Sequence, residues 1–226
     1  ATLTSRVSYD PIEDSGTLVV SCAFLDDEDI HEAQSLIRRL EALPFGPFPV
    51  ALEEASETEP GTFRLLAPSS ISLDGALLSR GVDTNLLNAG VVEYVPTATK
   101  ETNENNSGEL GGKITRHVDI ISGEGSSIDV ISLLIEAGRG DVKSIIEDEK
   151  PGFLVGDDRE FPINRYDEAR DLCISTRSRL GGTIDIRRPR EQPNTLSTSS
   201  AWACGSITYI GAGELLLPAL NEYGLS

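Results

Sequence analysis

His117 and Asp119 stand two residues apart in Arg-His-Val-Asp-Ile, and His31 is the only other histidine among the 226 residues. On a strand, residues two apart share a face. The pair therefore has the types and spacing of a general base and the carboxylate that orients it. No Gly-x-Ser-x-Gly or other activated nucleophile accompanies it, and His31 falls in the first turn of an acidic helix, facing solvent. A polar pair on a sheet explains His117 and Asp119 more simply than catalysis does. Paired acids are frequent, as in Glu53-Glu54 and Asp157-Asp158. Adjacent acids on a strand point to opposite faces and do not make a glycosidase pair by themselves. Asp26, Asp27 and Asp29 cluster oxygen ligands suited to calcium, without EF-hand spacing. Acids at a helix N-terminus explain that run equally well.

Two glycine runs invite a phosphate-binding reading. Gly211-Ala212-Gly213 leaves only 13 residues behind it, Pro218 interrupts them, and Leu216 stands where a third glycine belongs. No dinucleotide-binding βαβ unit fits. The segment reads as extended, with Gly211 and Gly213 at a bulge or a close approach of backbones. Gly123-Glu124-Gly125 lies between a strand-like and a helix-like run. Glu124 puts negative charge where a phosphate would sit, no lysine follows, and Ser126 or Ser127 serves as an ordinary N-cap. Arg139-Gly140-Asp141 is the tripeptide of integrin-binding loops, and Asn105-Asn106-Ser107 is a glycosylation sequon. No cofactor is expected, calcium apart.

The net charge is −18 and the isoelectric point about 4.4. Such a field repels nucleic acid and acidic membranes, so weak or no direct nucleic-acid binding is expected. No apolar run approaches the ~18 residues of a membrane span. The charge is uneven. Residues 1–60 hold 13 acids against Arg6, Arg38 and Arg39, net −10. Residues 172–190 hold Arg177, Arg179, Arg187, Arg188 and Arg190 against Asp185 alone, net +4. Those five arginines are the candidates for contacting RNA or a neighbouring subunit, where a planar guanidinium suits ion pairing. Cys22, Cys173 and Cys204 form no Cys-x-x-Cys and no zinc spacing. A start without methionine suggests processing, either simple removal of Met or cleavage from a precursor.

Strands are expected at Thr2–Tyr9, at Thr17–Leu25 and in the runs PVALEE, TFRLLAP, SISLDGALL, GVVEYVPTA, GKITRHVDIIS and GTIDIRRPR. Helices are expected from Glu28 to Leu43, whose apolar stripe is Ile30, Ala33, Leu36, Ile37, Leu40 and Leu43, and in two short segments near 128–139 and 141–150. Residues 164–182 begin helical and turn to strand near Cys173. This cadence predicts one domain over 1–226, mainly β. The expected form is an antiparallel, jelly-roll-like sandwich with a few short helices in its connections, and α+β is the alternative.

The final segment, with Gly205, Ile207, Tyr209, Glu214, Leu215, Leu217 and Pro218, resembles the last strand of the jelly-roll coat proteins of small icosahedral RNA viruses. VVEYVPTAT at 91–99 looks like the coat strand ending in Tyr-Val-Pro. VSYDPIEDSGTLVVSCAFLDDED has the strand, turn, strand and acidic-loop flavour of such coats. Together these cover about a quarter of the chain. An acidic N-terminus in place of a basic arm and an early helix at 28–43 depart from the pattern. The resemblance implies a self-assembling capsid subunit without catalysis, found in the virion and in host cytoplasm during assembly, its partners copies of itself and other capsid subunits. The alternatives are an acidic α+β enzyme or binding module, of halophilic character, built around His117 and Asp119, and a phage decoration or tail component.

Overall fold

A computed structural model describes residues 3–96, 109–110, 112–122, 130–189 and 203–225. It has two antiparallel sheets and six α-helices, an α+β fold rather than the mainly-β sandwich. A three-stranded sheet runs in the order β1 (Val20–Leu25), β3 (Phe63–Pro68), β2 (Ala51–Glu54). A six-stranded sheet runs β5 (Glu109–Leu110), β8 (Thr183–Arg187), β9 (Cys204–Ile210), β7 (Gly152–Pro162), β4 (Asn85–Val95), β6 (Lys113–Ser122). Leu110 and Lys113 are three residues apart yet lie in strands at opposite ends of that order. Arg187 of β8 donates to the Ile114 carbonyl of β6 at 3.3 Å. The large sheet therefore curls until its two ends meet, leaving a concave and a convex face.

The helices are α1 (Ile30–Ala42), α2 (Ile71–Ser79), α3 (Val130–Glu136), α4 (Val142–Asp148), α5 (Tyr166–Leu180) and α6 (Ala212–Tyr223). In α1 the expected stripe is the buried one, with Ala33, Leu36, Ile37 and Leu40 in the core and Ile30 and Leu43 packed beside them. Four expectations fail. The N-terminal run is a short 3-10 turn at Thr4–Arg6, not a strand. SISLDGALL is α2, buried at Ser72, Leu73, Gly75, Ala76 and Leu77, with no one-sided apolar stripe and so no readable period. The helix through Cys173 never turns to strand and continues to Leu180. The terminal segment stops being extended at Ile210 and becomes α6, with Gly211 as its N-cap.

That last change explains the glycines. The helix α6 lies between the sheets, touching β1 and β3 on one side and β7 and β9 on the other. A Cβ on Gly213 would stand 2.6 Å from Ser21 Oγ, 2.8 Å from Ser21 Cβ and 3.2 Å from the Pro68 carbonyl oxygen. The glycines let the helix approach β1 and β3, and Glu214 occupies the helix N-terminus where an anion would bind. Gly213→Val, despite valine's better helix propensity, is expected to lower stability by roughly 1–3 kcal/mol through overpacking, as read by denaturant unfolding.

Candidate functional site

Three consecutive charged residues, Asp157, Asp158 and Arg159, cross the middle of β7, and none is more than 6% exposed. Alternation along the strand divides them. Asp157 and Arg159 point to the convex, helix-covered face, and Asp158 points into the concavity. The adjacent acids thus face opposite ways, as expected for a strand.

On the convex face Arg159 is 1% exposed. Its Nε lies 2.5 Å from Asp74 Oδ1 of α2, and its Nη2 3.3 Å from Asp157 Oδ2. Ser70 Oγ donates to Asp157 at 2.8 Å. The Ser70 backbone N–H donates to both oxygens of Glu214, at 3.0 and 3.1 Å, and Ser69 Oγ donates to Oε1 at 2.9 Å. One carboxylate of α6 therefore serves the N-termini of both α2 and α6, where helix dipoles favour it. Asp74 and Asp157 pair with the guanidinium directly, and the charge of Glu214 acts on it from beyond Ser70. Burial pushes Asp157 up to about 6, Glu214 adds to the rise, and Arg159 and Ser70 oppose it. Burial alone would lower Arg159, but Asp74 and Asp157 overrule it and hold the guanidinium above its ordinary value.

On the concave face Thr208 Oγ1 donates to Asp158 Oδ1 at 2.5 Å, and His117 Nε2 approaches Asp158 Oδ2 at 2.5 Å. Both side chains of that ion pair are nearly buried, His117 at 3% exposure. Among the described residues neither ring nitrogen of His117 finds a hydrogen bond of acceptable geometry, and no partner for Nδ1 is present. Beside them Arg187 Nε contacts both oxygens of Asp185 at 2.8 Å. Burial raises the Asp185 carboxyl, and Arg187 opposes the rise.

His117 and Asp119 do not share a face. Val91 pairs with Asp119 but its neighbour Val92 pairs with His117, so Val118 is the extra residue of a β-bulge. His117 turns inward to Asp158, and Asp119 turns out to form an ion pair with Arg139. The arginine run is also dispersed. Arg177 donates to the Pro44 and Gly182 carbonyls at 2.6 and 3.2 Å. Arg179 pairs with Asp14 at 3.6 Å. Arg188 lies 3.9 Å over the Tyr166 ring and 3.2 Å from Asp167. Arg190, the Gly123–Gly125 loop and the sequon lie outside the described residues. In Arg139-Gly140-Asp141, Asp141 caps α4 by accepting from Ser144 N at 3.2 Å. Among the described residues no three His, Cys, Asp or Glu side chains converge as a metal site, at Asp26, Asp27 and Asp29 or elsewhere.

Over residues 1–224 the sequence matches the family described as NrpR regulatory domains NRD1 and 2. The global nitrogen regulator NrpRI of Methanosarcina mazei is 25% identical over 167 residues, 72% of this chain and 47% of that protein. The chain thus spans about half the length of the curated relative it matches. The crystal structure of a nitrogen repressor-like protein from Methanococcus jannaschii aligns with a TM-score of 0.70. At 18% identity the alignment covers 99% of this chain and 86% of that one, a likeness in fold.

These findings overturn the capsid expectation. The residues that carried it belong to other elements: Gly205–Ile210 is an inner strand, Glu214–Pro218 is helix, and Val91–Val95 lies between β6 and β7. The icosahedral shell, the virion location, the phage components and the capsid copies as partners fall with it. So does the expectation of a chain kept away from nucleic acid by its −18 charge, since the family it matches is one of nitrogen-regulator domains.

The shifted Asp157 has a measurable consequence. Its folded value near 6 exceeds the ordinary 3.8, so the folded state holds the proton more tightly and stability falls as pH rises from about 4 to 6. Asp157→Asn should remove that fall, on the order of 3 kcal/mol, in denaturant titrations across the interval. Arg159→Met, which leaves the buried Asp157 and Glu214 and the half-buried Asp74 without that cation, should lower stability by roughly 3–5 kcal/mol at pH 7.

Proposed function

The chain belongs to the family of NrpR regulatory domains, and on that footing we propose that it is a non-catalytic regulatory domain of a nitrogen-responsive repressor. The observation that carries this reading is the family match over residues 1–224. Its geometry is in keeping with regulation. The central charges are buried and paired with one another, not arranged around an open substrate site.

A regulatory domain needs an element whose two states are biased by a signal. We assign that role to the middle of β7. There Asp158 ties the strand to His117 and Thr208 on the concave face. One peptide unit to either side, Asp157 and Arg159 tie it to α2 and, through Ser70, to α6. A change of partner at Asp158 turns the strand and reaches both helices by that single step.

The test is made in the native host with the regulator intact. Deletion of the coding region for these residues should uncouple transcripts under its control from nitrogen supply. Asp158→Asn should reduce the nitrogen response at least fivefold at unchanged protein abundance, and Glu57→Ala, an exposed control, should not. Transcripts that follow nitrogen supply unchanged after the deletion would sink the proposal.

A further inference from the structure

Beside β1 lies an open groove of about 630 Å³. It runs between that strand, the turn at Pro60-Gly61 and the C-terminal ends of α3 and α6. Its floor is apolar, formed by Ala23, Leu25, Ile135, Leu217 and Leu225, and its rim carries Asp26, Asp29 and Glu136. None of its lining residues is Lys, Arg or His. The three rim carboxylates have no ion-pair partner among the described residues.

One wall of the groove is a sheet edge. β1 pairs only with β3, in unbroken register from Val20↔Pro68 to Leu25↔Phe63. The Ser69 N–H donates to the Val19 carbonyl at 3.0 Å, which sets the phase of the ladder. The backbone groups of Val19, Ser21, Ala23 and Leu25 therefore turn toward β3, and those of Val20, Cys22 and Phe24 toward the open side. Pro68, without an N–H, falls opposite Val20, as that phase requires. Natural edges are blunted by charge, proline or a bulge. β2, the other edge of this sheet, carries Glu53 and Glu54. Val20–Leu25 has no such device, and Val20 is 44% exposed.

We infer that β1 and its groove take up an extended, lysine- or arginine-bearing segment of a different polypeptide, which adds as a fourth strand outside β1. Its backbone pairs with Val20, Cys22 and Phe24, its apolar side chains fill the floor, and its cations meet Asp26, Asp29 and Glu136. A second copy of this chain fits poorly. It would bring another −18 chain, with its own Asp26-Asp27-Glu28-Asp29 run, to an edge already lined with unpaired acids. Six residues of β1 accommodate a partner strand roughly 20 Å long.

Fluorescein-labelled Lys-Val-Thr-Val-Lys-Val-Lys and its glutamate counterpart are the probes, titrated into the purified chain by anisotropy and followed by amide exchange. The basic peptide should bind at least tenfold more tightly than the acidic one, weaken with salt, and protect the amides of Val20, Cys22 and Phe24. Asp26→Lys/Asp29→Lys should reverse the preference. Cys22→Pro should abolish binding of either peptide at unchanged circular dichroism. Equal binding of both peptides, no binding, or binding that leaves those three amides unprotected would overturn the inference. So would a dimer in sedimentation equilibrium that protects the same amides and is not displaced by the basic peptide. None of these outcomes depends on the regulatory reading.

Discussion

Among the described residues, Arg159 is the bulkiest side chain to be almost completely buried. A guanidinium does not shed its proton to escape burial, so carboxylates have to come to it. They come from two directions: Asp74 from α2, and Asp157 from its own strand. Asp157 is held in turn by Ser70, whose backbone N–H is taken by Glu214 of α6. The placement of α2 and α6 on the convex face thus follows from one cation in the middle of a strand. Apolar packing of Leu73, Leu77, Ile207 and Tyr209 around it supplies the bulk of the burial, and the ionic network fixes the register in which that packing occurs. Buried charge of this kind is poor at adding stability. Its structural effect here is to tie α2 to β7 at one point, Asp74 on Arg159.

The same interaction explains what was legible in the sequence and what was not. Elements with a one-sided apolar pattern were readable. The stripe of α1 and the alternation of β8 survive intact, Ile184 and Ile186 falling on the apolar side of the sheet. The central strand β7 was invisible. Its core reads Gly-Asp-Asp-Arg-Glu, the composition of a solvated turn, and its charges become tolerable only through partners far away in sequence, such as Asp74 and His117. Local propensity has no access to such partners. α2 and the first half of α6 failed for the opposite reason. Their apolar residues are spread around the helix and not confined to one stripe, so no period separates a buried helix from a buried strand.

His117 and Asp119 show a subtler limit. The rule that residues two apart share a face holds for a regular strand. One inserted residue, Val118, reverses it. The bulge converts what would be a base with its orienting carboxylate into two separate contacts, one inside the curled sheet and one on its surface. The true carboxylate partner of His117 is Asp158, which the sequence places 41 positions away. A single-residue irregularity leaves no trace in composition, yet here it decides between a catalytic-looking dyad and an internal tie.

The two faces of β7 are unequal in a way that bears on regulation. On the convex side every group of the Arg159 network is paired, and the excess of acid over base makes it sensitive to one proton at Asp157. On the concave side the network is short of a partner at His117. Asp158 cannot be repositioned without rotating the peptide that links it to Asp157 and Arg159. A strand whose successive residues are committed to opposite faces therefore transmits a change of pairing through the sheet within one residue. The sheet itself is closed by Arg187 on Ile114. A curled frame with one buried, charged strand tied to both of its faces is the arrangement on which the proposed regulatory role rests.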